Sequence, residues 1–224
     1  VKKVDKLKIG IVGCGAIGSS LAKVIVKDLF DKAQLCSLYD IDILRSRNLS
    51  MGLKSTSLVA DNLKYLIKKS DLIIEAASAK SSFDIARSAL KSKKDVMVMS
   101  VGGIVSGFDF LRNLAFKNKR KLYIPTGAIS GIDALKAARL SKINSVTLTT
   151  TKNPLSFKGV EYIKQKNIKI DKIKGDKVLF YGRAIDAVKY FPQNINVAAV
   201  LSLAGIGPKK TYVKIIASSK TSKN

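Results

Sequence analysis

The chain has 224 residues, 46% hydrophobic and 25% charged, a balance that suits one or two folded domains and excludes a disordered or fibrous protein. Lysine and arginine number 41 against 16 acids, a net charge of +25, yet the bases are spread through every segment, as in KSKK (91–94) and IKQKNIKIDKIK (163–174). With no aromatic RNA-binding motif or basic recognition helix beside them they read as a solvated surface, and nucleic acid is not the expected partner.

The N-terminal VKKVDKLKIGIVG runs straight into an apolar stretch with no separate signal region, so the expected compartment is cytoplasmic. Residues 8–12, KIGIV, predict a strand buried on both faces. Ile17, Leu21, Val24, Ile25 and Leu29 recur at helical spacing, predicting a helix over 16–29. A strand is expected over 35–40 (LCSLYD), a helix over 58–70 and a strand over 71–78 (DLIIEAAS). Helix 82–94, strand 95–100, helix 107–120 and strand 121–127 follow. Such alternation predicts an α/β fold, a parallel sheet with helices on both faces.

Between the first strand and the first helix stand Gly13, Gly15 and Gly18. There Gly13 suits a tight turn, Gly15 the close approach of a pyrophosphate, and Gly18 the packing of helix on sheet. The N–H groups of Ala16, Ile17, Gly18 and Ser19, helped by the helix dipole, would hold phosphate oxygens. Asp40 comes 22 residues after Gly18, near the spacing of the acid that binds the adenosine ribose. Its bland reading is a helix cap or turn, and Asp42 competes for the ribose. An acid here repels a 2′-phosphate and favours NAD; Arg45 and Arg47 pull toward NADP, so the cofactor reading is NAD or NADP. Glu75 ends an inner strand, where a charge needs partners: backbone amides at the sheet rim or the cofactor itself. Ala76, Ala77 and Ser78 are small enough for the cofactor to lie against the backbone. Ser100, in SVGG (100–103), repeats that pattern at the end of the next strand. Cys14 reads as a small filler, and it and Cys36 are spaced for neither a metal site nor a disulfide framework.

After Gly127 come PTGAISGIDALKAA (125–138), a turn and a helix; strand-like SVTLTTT (145–151); mixed NPLSFKG (153–159); and KVLFYGRAIDAVKYFPQNINVAAVLSLAG (177–205). The apolar end of that last piece is too short for a membrane span. With EAAS and the GAISGIDAL turn, it resembles the aspartate dehydrogenase family, in order along nearly the whole chain. The resemblance implies a Rossmann-like doubly wound parallel sheet over 1–125 followed by an α+β catalytic domain over 126–224. It implies NAD(P)-dependent oxidation of L-aspartate to iminosuccinate, feeding oxaloacetate and ammonia or NAD biosynthesis, and a homo-oligomer. It places Ala128, Asn194 and Asn196 at the nicotinamide and substrate; Asn194 also reads as the cap of the helix that follows.

The family's proposed catalytic histidine lies in a strand a little beyond YVKIIASSKTSKN, whereas this sequence contains no histidine. The expectation is therefore a catalytic domain incomplete at its C-terminal end, with the catalytic residue unknown. Two other readings stand beside the enzyme: a catalytically inactive NAD(H)-binding module or sensor, and a basic nucleic-acid-binding protein on the same fold.

Overall fold

The β-branched run near the N-terminus folds as β1 (Leu7–Val12), an inner strand of a five-stranded parallel sheet. In this computed structural model residues 5–55, 57–191 and 195–221 are described. The chain divides into two units, Val1–Pro125 and Thr126–Asn224.

The first unit continues through α1 (Ala16–Lys27), β2 (Ala33–Tyr39), α2 (Ile43–Gly52), α3 (Leu63–Lys69), β3 (Leu72–Glu75), α4 (Ala79–Lys91) and β4 (Asp95–Val98). A 3-10 turn (Val101–Gly107), α5 (Phe108–Lys117) and β5 (Leu122–Tyr123) complete it. The sheet order is β2-β1-β3-β4-β5, with every neighbouring pair parallel. Ile9 and Ile11 of β1 and Leu72 and Ile74 of β3 share one core with Ala22 and Ile25 of α1 and Leu49 of α2. The alternate residues, Ile73, Val96 and Val98, are also buried, as are Leu66, Leu90 and Leu111 on the later helices. Burial on both faces explains why the strands read as continuous apolar runs. Each fully buried leucine or isoleucine contributes on the order of 1.5–3 kcal/mol.

The strands expected over 71–78 and 121–127 are shorter, Leu72–Glu75 and Leu122–Tyr123, and two stretches differ in kind from the sequence expectation. The helix expected over 58–70 begins only at Leu63, where the Asn62 side chain accepts the Tyr65 N–H at 2.9 Å. Residues 58–60 instead pair with the free edge of β2: the Leu38 N–H donates to the Leu58 carbonyl and the Ala60 N–H to the Leu38 carbonyl. Counting that single bridge as a strand gives the 3-2-1-4-5-6 order of doubly wound dinucleotide folds, reversing between β1 and β3. The second difference is α2, which carries too little apolar character to announce itself. Its buried side consists of Ser46, Leu49 and Ser50.

The second unit contains α6 (Ile132–Ala138), β6 (Val146–Lys152), α7 (Glu161–Gln165), β7 (Asp176–Arg183), α8 (Ala184–Tyr190), α9 (Asn196–Ala204) and β8 (Thr211–Ser218). Its sheet runs β6-β8-β7, with β8 parallel to β6 and antiparallel to β7. Phe157, Phe180, Phe191 and Ile195 fill the core between β7, β8 and the helices. Phe157 and Phe180 each meet Phe191 edge-on. This second unit is a mixed α+β layer. Among the described residues, no helix is long and apolar enough to cross a membrane.

Candidate cofactor site at the sheet rim

In a doubly wound sheet the loops at the carboxyl ends of the strands, around the reversal of strand order, form the natural crevice for a ligand. Here those loops follow β1 and β3. Gly13 takes φ +97°, and a Cβ there would stand against the Ala76–Ala77 peptide. A Cβ on Gly18 would collide with the Gly13 carbonyl oxygen. Both glycines are therefore demanded by the fold. Gly15 is different: its φ is −75°, and a Cβ would find nothing within 4 Å. Neither packing nor backbone conformation asks for glycine there, so the empty space is available to a ligand that must touch the main chain. Gly15 caps α1 without a side chain, and among the described residues the Ala16 and Ile17 amides have no protein acceptor. Unpaired amides at the positive end of a 12-residue helix suit a pyrophosphate. These residues fit a dinucleotide.

Asp40 stands just beyond β2, half-buried, and its two oxygens do different work. Oδ2 accepts the Cys14 N–H at 2.7 Å, tying the end of β2 to the glycine loop, while Oδ1 accepts the Asp42 N–H at 2.9 Å. The carboxylate is thus held in place before any ligand arrives, and each oxygen retains a lone pair for a ribose hydroxyl. Asp42 has another task. Its Oδ1 caps α2 by accepting the Leu44 N–H at 3.1 Å, and its Oδ2 lies 3.4 Å from Arg45 Nε. The helix cap is therefore Asp42, and Arg45 already has an acid beside it. Replacing Asp42 by alanine is expected to cost about 1 kcal/mol of stability, read by thermal or urea unfolding.

On the other side of the reversal, Glu75 is fully buried at the end of β3. Its Oε1 accepts the Ala77 N–H at 2.9 Å and its Oε2 the Ser100 N–H at 3.0 Å. Burial pushes its carboxyl up from the ordinary range, and the amide bonds together with the Ser100 side chain draw it back. Of the two alternatives left by the sequence, the amide partners are present. Ala76 and Ser100 are half-buried, and Ala77 and Ser78 are exposed on the rim. Gly13, Gly15, Ala16, Ile17, Gly18, Asp40, Ala76, Ala77, Ser78 and Ser100 thus lie along one edge of one sheet. Cys14 sits in the glycine loop with its thiol pushed up to about 12, first by burial and then by the Asp40 charge, so it stays protonated and unreactive at neutral pH.

The remaining residues singled out by the sequence belong to the second unit. Ala128 is exposed in a turn closed by the Ile129 N–H donating to the Thr126 carbonyl at 3.1 Å. Asn196 is exposed in the first turn of α9. Asn194 lies outside the described residues. What the sequence reading missed is the double duty of Asp40 and the two-loop reach of Glu75. The available signal was that each strand flanking β1 ends in or just before an acid.

Comparison with known proteins extends this picture over the whole chain. A family model described as the aspartate dehydrogenase C-terminal domain matches residues 133–224, and one described as the NAD-binding domain of homoserine dehydrogenase matches 13–125. L-aspartate dehydrogenase of Methanococcoides burtonii is 46% identical over 220 residues, covering 97% of this chain and 81% of that protein. That of Nitrosopumilus maritimus is 39% identical over 220 residues, covering 97% and 80%. The crystal structure of aspartate dehydrogenase from Thermotoga maritima shares the fold, with a TM-score of 0.66, 23% identity and coverage of 97% and 81%. With identity at this level across both units, and with a rim shaped for a dinucleotide, the chain belongs to the L-aspartate dehydrogenase family.

Proposed function

We propose that this chain oxidises L-aspartate to iminosuccinate with NAD(P), which on hydrolysis gives oxaloacetate and ammonia. The observation that carries the reading is the open space over Gly15 beside a fixed Asp40, in a chain of this family. The oxidised nicotinamide supplies the acceptor for two electrons and a hydrogen. The protein's part is to bind, orient and exclude water. The amides of Ala16 and Ile17 hold the pyrophosphate, Asp40 the adenosine ribose, and the Ala76–Ser78 and Ser100 backbone supports the nicotinamide half. The fixed charge of Asp40, with Arg45 already beside Asp42, favours NAD over NADP. Ala128, Asn194 and Asn196 are assigned to the substrate and nicotinamide side, where amides orient a carboxylate or carboxamide without titrating. The net charge of +25 raises the local concentration of an anionic substrate and cofactor. Delivery of iminosuccinate to NAD biosynthesis, a cytoplasmic setting and a homo-oligomeric assembly belong to the same proposal.

The test is NAD reduction with L-aspartate as the sole reductant, with NADH and oxaloacetate forming in equal amounts. NADH binding without any L-aspartate-dependent reduction would overturn the reading of these 224 residues as an active dehydrogenase.

The proton is a separate matter. As the Cα–H bond breaks and its electron pair leaves as hydride, the nitrogen lone pair must form the C=N bond, so the ammonium has to lose a proton first. These 224 residues include no histidine, the side chain whose ordinary titration lies nearest neutrality. We take solvent as the proton acceptor for these 224 residues. The 224-residue chain is expected to turn over slowly at neutral pH, with the rate rising about tenfold per pH unit until the substrate amine itself titrates. A rate that levels off near neutrality would reveal a base among these residues.

A further inference from the structure

Asp40 and Glu75 occupy equivalent places on either side of β1. Asp40, after β2, ties its own loop to the glycine loop through the Cys14 N–H. Glu75, at the end of β3, ties the loop after β3 to the loop after β4 through the Ala77 and Ser100 N–H groups. Backbone bonds anchor the bases of both loops: the Ala76 N–H donates to the Val12 carbonyl at 2.8 Å and the Met99 N–H to the Glu75 carbonyl at 2.9 Å. Beyond those anchors, the Ala77 and Ser100 amides converge on one carboxylate. The glycine loop packs against the Ala76–Ala77 peptide but has hydrogen bonds of its own: the Gly13 N–H donates to the Tyr39 carbonyl at 2.8 Å and the Cys14 N–H to Asp40.

The carboxylate is suited to this task in a way that no neutral side chain is. In its ionised form it is acceptor-only, so both oxygens can face N–H donors at once, as the two amide contacts require. Bonds of this kind to an ionised acceptor are the stronger sort. Its side chain is shielded from bulk solvent, as Glu75 is fully buried. A glutamine of the same shape would present an NH2 group to one of the two amides, leaving two donors facing each other and one loop released.

We propose that Glu75 is a positioning residue for the nicotinamide half of the cofactor, fixing the Ala77–Ser78 and Ser100 loops relative to each other while Asp40 and the glycine loop hold the adenosine half. This rests on the assignment of the rim as an NAD(H) site. Glu75 itself contacts no cofactor atom; it acts through the two loops.

The division of labour gives a readout that general destabilisation would not produce. Glu75→Gln is expected to weaken NADH binding about tenfold, while binding of ADP, which lacks the nicotinamide half, changes by less than about twofold. Both are measured by calorimetric titration well below the unfolding temperature of the variant. Equal losses for NADH and ADP would show a merely structural role, and unchanged NADH affinity would show that the two loops need no clasp; either overturns the proposal. Should Glu75→Gln fail to fold, Glu75→Asp takes its place with the same expected split, since its shorter side chain keeps the charge but cannot span both amides. Failure of the wild-type chain to bind NADH would overturn the rim assignment and this inference together; NADH binding unaffected by either variant would overturn this inference alone.

Discussion

Gly15→Val is expected to weaken NADH binding by at least about 100-fold, near 2.7 kcal/mol, while the protein remains folded. The asymmetry among the three glycines is the reason. Valine at position 15 meets no protein atom within 4 Å of its Cβ and sits at an ordinary φ of −75°. Its cost to the fold is that of a poor N-cap, about 1 kcal/mol. Its branched carbons instead occupy the space through which a pyrophosphate would reach the Ala16 and Ile17 amides. The same substitution at Gly18 would drive a side chain into the Gly13 carbonyl and disturb the fold itself. Titration of NADH fluorescence alongside thermal unfolding separates the two effects. Unchanged affinity in Gly15→Val would reduce the motif to a tight turn.

Asp40→Ser is expected to move the NAD/NADP preference by about 10- to 100-fold toward NADP, the worth of about one charge-assisted hydrogen bond. Removing the carboxylate removes both an acceptor for the ribose hydroxyl and the repulsion of a 2′-phosphate. A second consequence follows from the Cys14 contact. The serine hydroxyl cannot serve both the Cys14 and Asp42 amides, so one N–H loses its acceptor, at a cost of about 1 kcal/mol or more. Weaker NAD binding should therefore come with a modest loss of stability. The ratio of dissociation constants for NAD and NADP isolates the recognition effect from the loss of stability. An unchanged ratio would place the ribose elsewhere.

The parallel sheet was legible because its signal is redundant: β-branched runs, helical periodicity and Gly-rich turns all repeat in the same order. Asp40 was legible through spacing alone. Its bond to the Cys14 amide was not, because 26 residues separate the two and only the parallel pairing of β1 with β2 brings them together. Glu75 faced the same obstacle with Ser100, 25 residues away. Helix α2 escaped notice because two of its three buried residues are serines, Ser46 and Ser50, which no apolar period detects. Residues 58–60 were drawn into a helix because LVADNLKYLIKK keeps a helical rhythm through Asn62, and the cap that breaks it is visible only in the backbone. In the second unit the resemblance carried Ala128, Asn194 and Asn196, and no local periodicity singles them out as a site.

Hydrogen–deuterium exchange of the wild-type chain, with and without saturating NADH, bears most directly on the central claim, because it reads the site amide by amide. The expected result is slowed exchange at Ala16 and Ile17, where the pyrophosphate would supply the missing acceptors, together with slower exchange around Ser78 and Ser100. The Leu44 amide, which already donates to Asp42, should change little. NADH that bound without protecting Ala16 and Ile17, or that protected residues away from this rim, would contradict the assignment of the sheet rim as the cofactor site.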